Sequence, residues 1–514
     1  MSKLHRAVVD LSLVLVGLLL IVGPGSSSGT LNAALIFGPD DNLDPAYKYT
    51  GWYLREAGIY ETLFAYDTDM NLVPELAKGF DQISDTEYRI ALKDGVHFHD
   101  GSLLDADAVV FSLKRALDPS NARSMEYDFI DSIAKYDQGS ITITTKVPYA
   151  PLIASLTDPL LSIVPPSNSQ IDRVPIGTGP FRFDSYKSGV RLDVVRNDGY
   201  WGQKADLDGA RLNFVSDPIT RSLQLQGGDV DIARGIPQTE VGALRSSGLG
   251  VQQKMTLRTY FMYVNMRKAP FDDIRVRHAL NYAINRQELV DTALEGLGGV
   301  AATGVFSSVL PWSVNDQLKG YPFDPDRARD LFEQAGISDT DGDGWLEHQG
   351  EPFHLTIKTY TKRPELKPSA EVVAAQLRSA GVRADVEILE SGALSADLKD
   401  GNYDLSLYAW NTAPTGDPDY FLSKHFESTG TEAGYTGYSN TDVDAWIVEG
   451  RTAFDQQERR KHYAKVQEQV LADSPEIFLF YLNELVGLGK DVHGYEIYPN
   501  EVTFLTSGVN LGSS

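Results

Sequence analysis

Residues 58–117 constrain the fold more than any other stretch, because they place a strand shortly before a capped helix. Tyr88, Ile90 and Leu92 alternate with less apolar residues, which is the pattern of a strand with one buried face. Asp105 then lies where the N-cap of a helix is expected. Apolar residues follow it at spacings of three and four, as on one face of a helix: Val109, Val110, Leu113 and Leu117. The stretch therefore predicts a strand followed by a helix.

The same kind of succession returns in the second half of the chain. Asp324 and Pro325 suit the cap and the first turn of a helix. A second helical pattern over residues 369–380 is followed by alternating apolar residues over 382–388. Helices that repeatedly lead into strands indicate an α/β architecture.

Length and charge limit the classes of protein to consider. A chain of 514 residues predicts roughly three domains of ~150 residues. The 71 Asp and Glu against 46 Lys and Arg give a net charge of -25, so we expect no nucleic-acid partner, because a phosphate backbone needs a basic surface. The absence of cysteine excludes disulfides, thiolate metal sites and cysteine nucleophiles.

The N-terminus has the composition of a secretory signal segment. Lys3 and Arg6 precede an apolar run over residues 11–22, and small residues follow over 23–29. The run is shorter than the ~20 apolar residues that span a bilayer, so we favour a signal peptide over an N-terminal membrane anchor for residues 1–29. Either interpretation predicts an extracytoplasmic protein, periplasmic or at the cell surface.

His97, His99 and Asp100 form a short run of metal-binding residue types. In an extended segment, alternation places Val96 and Phe98 on one face and both histidines on the other. Two imidazoles fall short of the three or four ligands that a protein normally offers a transition metal. The geometry permits a metal here and does not require one.

Asp339, Asp341 and Asp343 match the first half of a calcium-binding loop, in which carboxylates two residues apart converge on one cation. The bidentate glutamate of such a loop should fall at Gly350, whereas Glu351 comes one residue late. We therefore expect a polar turn here rather than a calcium site.

Two regions carry side chains that are common in binding pockets. Tyr49, Trp52 and Tyr53 cluster early in the chain, where a purely structural role is an equal alternative. The second region is the irregular loop YAWNTAPTGDPDYFLSKHF over residues 408–426, which a rigid scaffold could direct into a cleft. Its candidate binding residues are Trp410, Thr415, Asp417, Tyr420 and His425. The alternative is a loop that only covers the core.

Signals of catalysis are incomplete. Ser132 and Lys135 fit a Ser-x-x-Lys pattern, but its companion motifs are missing from the chain. With 71 carboxylates, any acid and base pair could be proposed, so glycosidase chemistry has no specific support. A secreted, carboxylate-dependent hydrolase is the least favoured alternative.

Together, five groups of motifs resemble the family 5 extracellular solute-binding proteins, the peptide- and nickel-binding components of ABC importers. They are YETLFAYD with LVPELAKGF, LKDGVHFHDG with DADAVVFSLKRALD, GTGPFRF with RNDGYWG, FDDIRVRHALNYAINR, and GDPDYFL, all in the family's order. The resemblance spans nearly the whole chain after residue 29. It also implies that His99 and Asp100 belong to the framework of the fold.

The resemblance implies a two-lobed α/β fold, the periplasmic-binding-protein type II fold, with a hinge and an extra subdomain in the first lobe. The hinge strands would lie near residues 257–266 and 478–486. The implied division is a core of lobe 1 over residues 30–48, 165–260 and 487–514, a lobe 1 subdomain over 49–164, and lobe 2 over 261–486.

The resemblance further implies binding and delivery rather than catalysis. A ligand would be captured between the lobes and passed to ABC permease subunits in the membrane, with no cofactor required and the protein expected to be a monomer. Such hinged proteins shift between open and closed forms, and the ligand favours the closed one.

The class of ligand is implied by departures from the family's peptide-binding pattern. Peptide-binding members carry an aspartate three residues after the tryptophan of the 408–426 loop, where this chain has Ala413, although Asp417 could substitute. The run Arg363-Pro364-Glu365-Leu366, together with Ala413-Pro414 followed by Asp417-Pro418, resembles the nickel branch, in which an arginine holds the carboxylates of a chelator. His425 would then contact the metal through a bound nickel chelate. We therefore favour a nickel chelate, with a dipeptide or oligopeptide as the alternative.

Overall fold

The computed structural model of the protein describes residues 29–512, so the signal-segment prediction falls almost wholly outside the described residues. The first eleven strands are β1 (Thr30–Leu35), β2 (Phe64–Tyr66), β3 (Leu72–Pro74), β4 (Ala77–Gln82), β5 (Glu87–Leu92), β6 (Ile130–Asp137), β7 (Ser140–Thr145), β8 (Phe181–Lys187), β9 (Arg191–Arg196), β10 (Gly209–Phe214) and β11 (Ile232–Arg234). The others are β12 (Gly250–Val264), β13 (Gly299–Ala301), β14 (Ile337–Ser338), β15 (Glu347–His348), β16 (Glu351–Pro352), β17 (His354–Tyr360), β18 (Arg383–Leu389), β19 (Leu405–Asn411), β20 (Glu476–Leu488), β21 (Val492–His493) and β22 (Asn510–Leu511).

The α-helices alternate with these strands along the chain. They are α1 (Thr50–Glu56), α2 (Ala106–Ala116), α3 (Leu152–Ser155), α4 (Pro218–Gly227), α5 (Gln238–Ser246), α6 (Ile274–Tyr282), α7 (Arg286–Ala293), α8 (Pro325–Gln334), α9 (Leu366–Ser379), α10 (Ser391–Asp400), α11 (Asp419–His425), α12 (Thr431–Thr436), α13 (Thr441–Thr452) and α14 (Gln456–Asp473). Within residues 29–512, none of the helices combines the length and the apolar character that a membrane crossing requires.

One mixed sheet of eleven strands runs through both halves of the molecule. Its order is β18-β17-β19-β12-β20-β11-β1-β10-β9-β8, and β13 pairs with β20 beside this path. The long strands β12 and β20 stand in the middle, where β19 extends the sheet on one side and β11 on the other. These two antiparallel strands therefore connect two lobes, and the two-lobed α/β fold with a two-strand hinge is confirmed.

The extra subdomain is a separate four-stranded sheet, ordered β4-β5-β7-β6 and covered by α2. Tyr88, Ile90 and Leu92 point into its core, as their alternation predicts. The Asp105 carboxylate accepts a hydrogen bond of 2.9 Å from the amide of Ala108, which is the expected N-cap of α2. The sequence thus specified this subdomain through local signals.

Hydrophobic burial divides the molecule into several cores. The largest lies in lobe 2 and includes residues of β12, β19 and β20, whereas lobe 1 and its subdomain have cores of their own. The space between the lobes is consequently bordered by separately stabilised surfaces, which is what a hinge motion requires.

Candidate functional site

A cavity of about 320 Å³ lies between the lobes at the hinge. Lobe 1 contributes the end of β1 and the helix α1, and lobe 2 contributes the end of β19 and the turn that precedes α9. Residues 482–485 of β20 complete the wall beside the hinge. Both lobes therefore contact anything that fills the cavity, and its volume is at the small end of the range for ligand pockets.

Aromatic side chains from both lobes face this cavity. Lobe 1 places three of the sequence candidates there, Tyr49, Trp52 and Tyr53, and lobe 2 places Trp410 and Tyr420 opposite them. The indole of Trp52 donates a hydrogen bond of 2.8 Å to the carbonyl oxygen of Glu501, which fixes its orientation. Flat aromatic faces suit the body of a small organic ligand, and ligand contact by these five residues stays a prediction.

The wall nearest the hinge carries two groups of buried ion pairs. Arg234 lies between Glu56 and Glu484 and donates to both carboxylates. Burial raises the pKa of Glu56 to about 7 in spite of Arg234. The Nη2 atom of Arg258 lies 2.5 Å from a carboxylate oxygen of Glu501. Burial alone would raise the pKa of Glu501, but its pairing with Arg258 outweighs burial and lowers that pKa to about 2. These charges satisfy one another within the protein.

Arg363 differs from the other arginines of the cavity. Its side chain is half-buried on the turn before α9, and its guanidinium carbon lies 5.6 Å from the centre of the Phe37 ring of lobe 1. Among residues 29–512, no carboxylate oxygen lies within 4 Å of its nitrogens. Arg363 thus offers a guanidinium without a carboxylate partner to a ligand carboxylate, for which a bidentate pair is the strongest geometry.

Thr415 and Asp417 lie away from this cavity. Both are buried and border a second space of about 410 Å³ between the subdomain and lobe 2, which shares Tyr420 with the cavity. The Asp417 carboxylate forms a salt bridge of 2.9 Å with Arg459. Its charge is therefore neutralised by the protein, and the structure does not bring it to the interlobe cavity.

His425 is placed in the core of lobe 2. Its side chain has no exposed surface, its ring stacks on Phe421 with centroids 3.6 Å apart, and its Nδ1 lies 2.7 Å from a carboxylate oxygen of Glu476. Burial lowers the pKa of His425 well below its usual range. The structure does not bring this imidazole to the cavity, and no other histidine within residues 29–512 lines it.

The histidines of the first subdomain are held by the backbone. The amide of Gly177 donates to His99 Nδ1 at 3.2 Å, so the proton lies on Nε2, which donates to the carbonyl of Gly179 at 3.0 Å. Burial lowers the pKa of His99 to about 4. Both ring nitrogens are thus occupied, whereas His97 is exposed and contacts only the carbonyl of Gly95.

The acidic turn in lobe 2 is exposed. Oxygens of Asp339, Asp341, Asp343 and Glu347 lie within 4.8 Å of one another, and Glu347 rather than Glu351 joins them because the chain folds back through β14 and β15. Asp339 also accepts hydrogen bonds from the amides of Gly342 and Gly344. The hydrogen bonds are those of a polar turn, and its expected indifference to calcium stays a prediction.

Sequence reasoning missed the ionic part of the cavity. Glu56, Arg234 and Glu484 come from three distant segments, and none belongs to a recognisable local pattern. Glu365 belongs to the nickel-branch motif but was not predicted to bind, although its position two residues after Arg363 on the same turn was a usable signal. Pairing of remote charges is a property of the folded chain, so only the structure reveals it.

Comparisons with known proteins bear on the fold of the whole chain. The sequence profile described as "Bacterial extracellular solute-binding proteins, family 5 Middle" matches residues 71–433. The chain is 28% identical over 460 residues to the glutathione-binding protein GsiB of Pectobacterium atrosepticum, and the alignment covers 86% of each chain.

Two solved structures show the same architecture. A nickel ABC transporter structure from Bacillus halodurans is 28% identical, with a TM-score of 0.77 and coverage of 94% of this chain and 100% of the other. The periplasmic binding protein DppA of Helicobacter pylori, in complex with the peptide STSA, is 26% identical, with a TM-score of 0.78 and coverage of 94% and 98%. The type II binding-protein fold expected from the sequence is confirmed.

Proposed function

The chain belongs to the bacterial extracellular solute-binding proteins of family 5, and we propose that it captures a small carboxylate-bearing ligand between its lobes for an ABC importer. Proteins of this family serve ABC importers of peptides and nickel and work outside the cytoplasm. Within that function, this protein would be a binding and delivery component and not an enzyme, acting as a monomer with permease subunits in the membrane.

The observation that carries the proposal is the unpaired Arg363 in a cavity that both lobes border. A guanidinium removed from bulk water without a carboxylate partner is costly, so a ligand that supplies the carboxylate gains affinity. Because Arg363 belongs to lobe 2 and lies against Phe37 of lobe 1, this contact forms fully only when the lobes are together. Ligand binding would therefore favour the closed form that a permease recognises.

A short peptide or peptide-like ligand is the form that the cavity favours. Its volume of about 320 Å³ suits a short ligand, and the curated relative named above is a glutathione-binding protein. The supply of aromatic faces around Arg363 suits the apolar parts of such a ligand.

A nickel chelate is the second candidate, and Arg363 is the observation in its favour, since it would hold the chelator's carboxylates equally well. With His425 in the core of lobe 2, the chelator would have to supply the metal ligands itself. A nickel chelate, which the sequence favours, is therefore the second choice here. In that case the metal would be transported cargo and not a cofactor of the protein.

Titration calorimetry separates these candidates. We expect heat of binding from a pool of dipeptides or, on the second candidate, from nickel with histidine, and loss of that signal in Arg363→Ala. Lys362→Ala is the matched control, because Lys362 is an exposed cation next in the chain that does not line the cavity. Binding that survives in Arg363→Ala and falls in Lys362→Ala would refute the proposed site.

A further inference from the structure

The interlobe cavity contains two charged side chains that the protein leaves without an ionic partner. Five of the charged residues that line it are paired with one another, as described above for Arg234 and Arg258. Arg363 and Glu365 are the remaining two. Among residues 29–512, neither has a side chain of opposite charge within 4 Å, and they do not pair with each other. One cation and one anion are thus presented together.

These two charges belong to a single turn, Arg363-Pro364-Glu365, that leads into α9. The proline ring fixes its own backbone dihedral, and the amide of Leu366 bonds to the carbonyl of Arg363 at 3.3 Å, so the turn is tied to the start of the helix. Both side chains reach the same cavity from positions two residues apart. They therefore act on one end of a ligand and not on its two opposite ends.

Glu365 is held in place by a buried neighbour. The hydroxyl of Tyr260 donates a hydrogen bond of 2.7 Å to its Oε2, and the fully buried Tyr260 ring stacks on Phe480 with centroids 4.3 Å apart. Its Oε1 accepts no hydrogen bond from any described residue. One carboxylate oxygen is thus fixed by the protein, and the other is open to a donor in the cavity.

We propose that the ligand carries an α-amino-acid head group, in which an ammonium and a carboxylate share one carbon. This inference rests on the proposed capture of a carboxylate ligand. Arg363 receives the carboxylate and Glu365 receives the ammonium, and the aromatic faces of the cavity hold the body that extends from the head. A peptide with separated termini needs receivers at distant places, and Asp417, the other candidate for an ammonium, is already paired with Arg459. Glu365 is therefore the residue that determines specificity for the ammonium.

Calorimetry with two matched probes tests this assignment. γ-Glutamylglycine carries the complete head group, and glutarylglycine is the same molecule without the ammonium. Wild-type protein should bind the first roughly ten- to a hundredfold more tightly, which is the loss expected for one hydrogen bond to a charged group. Glu365→Gln should remove this discrimination and keep the Tyr260 contact. Glu371→Gln, an exposed change in α9, should leave the discrimination as it is in wild-type protein.

Three results would overturn the assignment: equal affinity of wild-type protein for both probes, unchanged discrimination in Glu365→Gln, or no binding of γ-glutamylglycine. The proposed function survives each of them if glutarylglycine, a dipeptide pool or nickel with histidine binds in a manner that depends on Arg363. If none of these probes binds, the proposed function fails together with the assignment.

Discussion

An ion pair between the lobes should set how readily the protein closes. Lys424 of α11 in lobe 2 donates to Glu126 of the subdomain at 2.9 Å, and the two side chains are 21% and 23% exposed. Lys424 also lies 4.0 Å above the Tyr420 ring at the edge of the cavity. Neither member of this pair lines the cavity, so its removal should weaken closure, and the coupling between the two residues separates that loss from any change at Tyr420.

The size of the effect follows from the burial of the pair. Two unit charges ~4 Å apart attract by ~4 kcal/mol at an effective dielectric constant of ~20, but partial solvation and the ordering of both side chains offset much of this. A charged hydrogen bond in such a setting contributes about 1.5 kcal/mol net. If the free protein is mostly open, that loss lowers the apparent ligand affinity about tenfold.

A double-mutant cycle isolates this contribution, because Glu126 also bonds to Arg123. Lys424→Met, Glu126→Gln and the double variant would be titrated calorimetrically with whichever probe binds wild-type protein. We expect a coupling of about 1.5 kcal/mol, and none for the pair Lys461 and Glu458, which lies within α14 of one lobe. Additive effects of Lys424→Met and Glu126→Gln would refute the role of the pair in closure.

Three further changes test other parts of the structure. Burial lowers the pKa of His99 from 6.5 to about 4. As the pH drops below 6.5, His99 is protonated in the unfolded chain and stays neutral in the folded protein, so the free energy of unfolding falls. Between pH 7 and 5 the free energy of unfolding should fall by about 2 kcal/mol, so the urea midpoint should fall more in wild-type protein than in His99→Gln. An equal fall in both proteins would contradict the burial of a neutral His99 ring. Arg459→Met leaves the Asp417 carboxylate buried and unpaired, and a denaturant titration should show a free energy of unfolding lower by about 3–5 kcal/mol. A decrease under ~1 kcal/mol would show that the pair is not buried. Calcium should leave the melting temperature unchanged, and an upward shift absent in Asp341→Asn would show instead that the acidic turn binds the ion.

Local signals in the sequence predicted much of the fold. The alternating apolar residues predicted the strand β5, and Asp105 predicted the start of the helix α2. Asp324 and Pro325 likewise predicted the start of α8. The start of α9 was placed three residues late: Pro368 suggests a boundary, but proline is tolerated in the first turn of a helix, and Leu366 continues the buried face with Ala370. The strand β12 begins at Gly250, well before the apolar run at 257, because its first residues are largely polar and pair with β20 at the hinge.

The candidate site was less predictable for a physical reason. Aromatic residues such as Trp52 and Trp410 are conspicuous in any sequence, and the structure places both at the cavity. Whether a charge is free depends on partners that only folding brings near. Asp417 looked available in the sequence and is neutralised by Arg459, 42 residues away in the chain, whereas Arg363 is left without a carboxylate. The accessible charges of the cavity therefore emerge only from the folded arrangement.

We propose that Arg363 holds a ligand carboxylate between the two lobes. Native mass spectrometry of gently purified protein, followed by identification of the released compound, tests it most directly. We expect wild-type protein to retain a small carboxylate-bearing compound, and Arg363→Ala, prepared in the same way, to carry none. Retention of the same compound by both proteins, or a retained compound without a carboxylate, would contradict the claim.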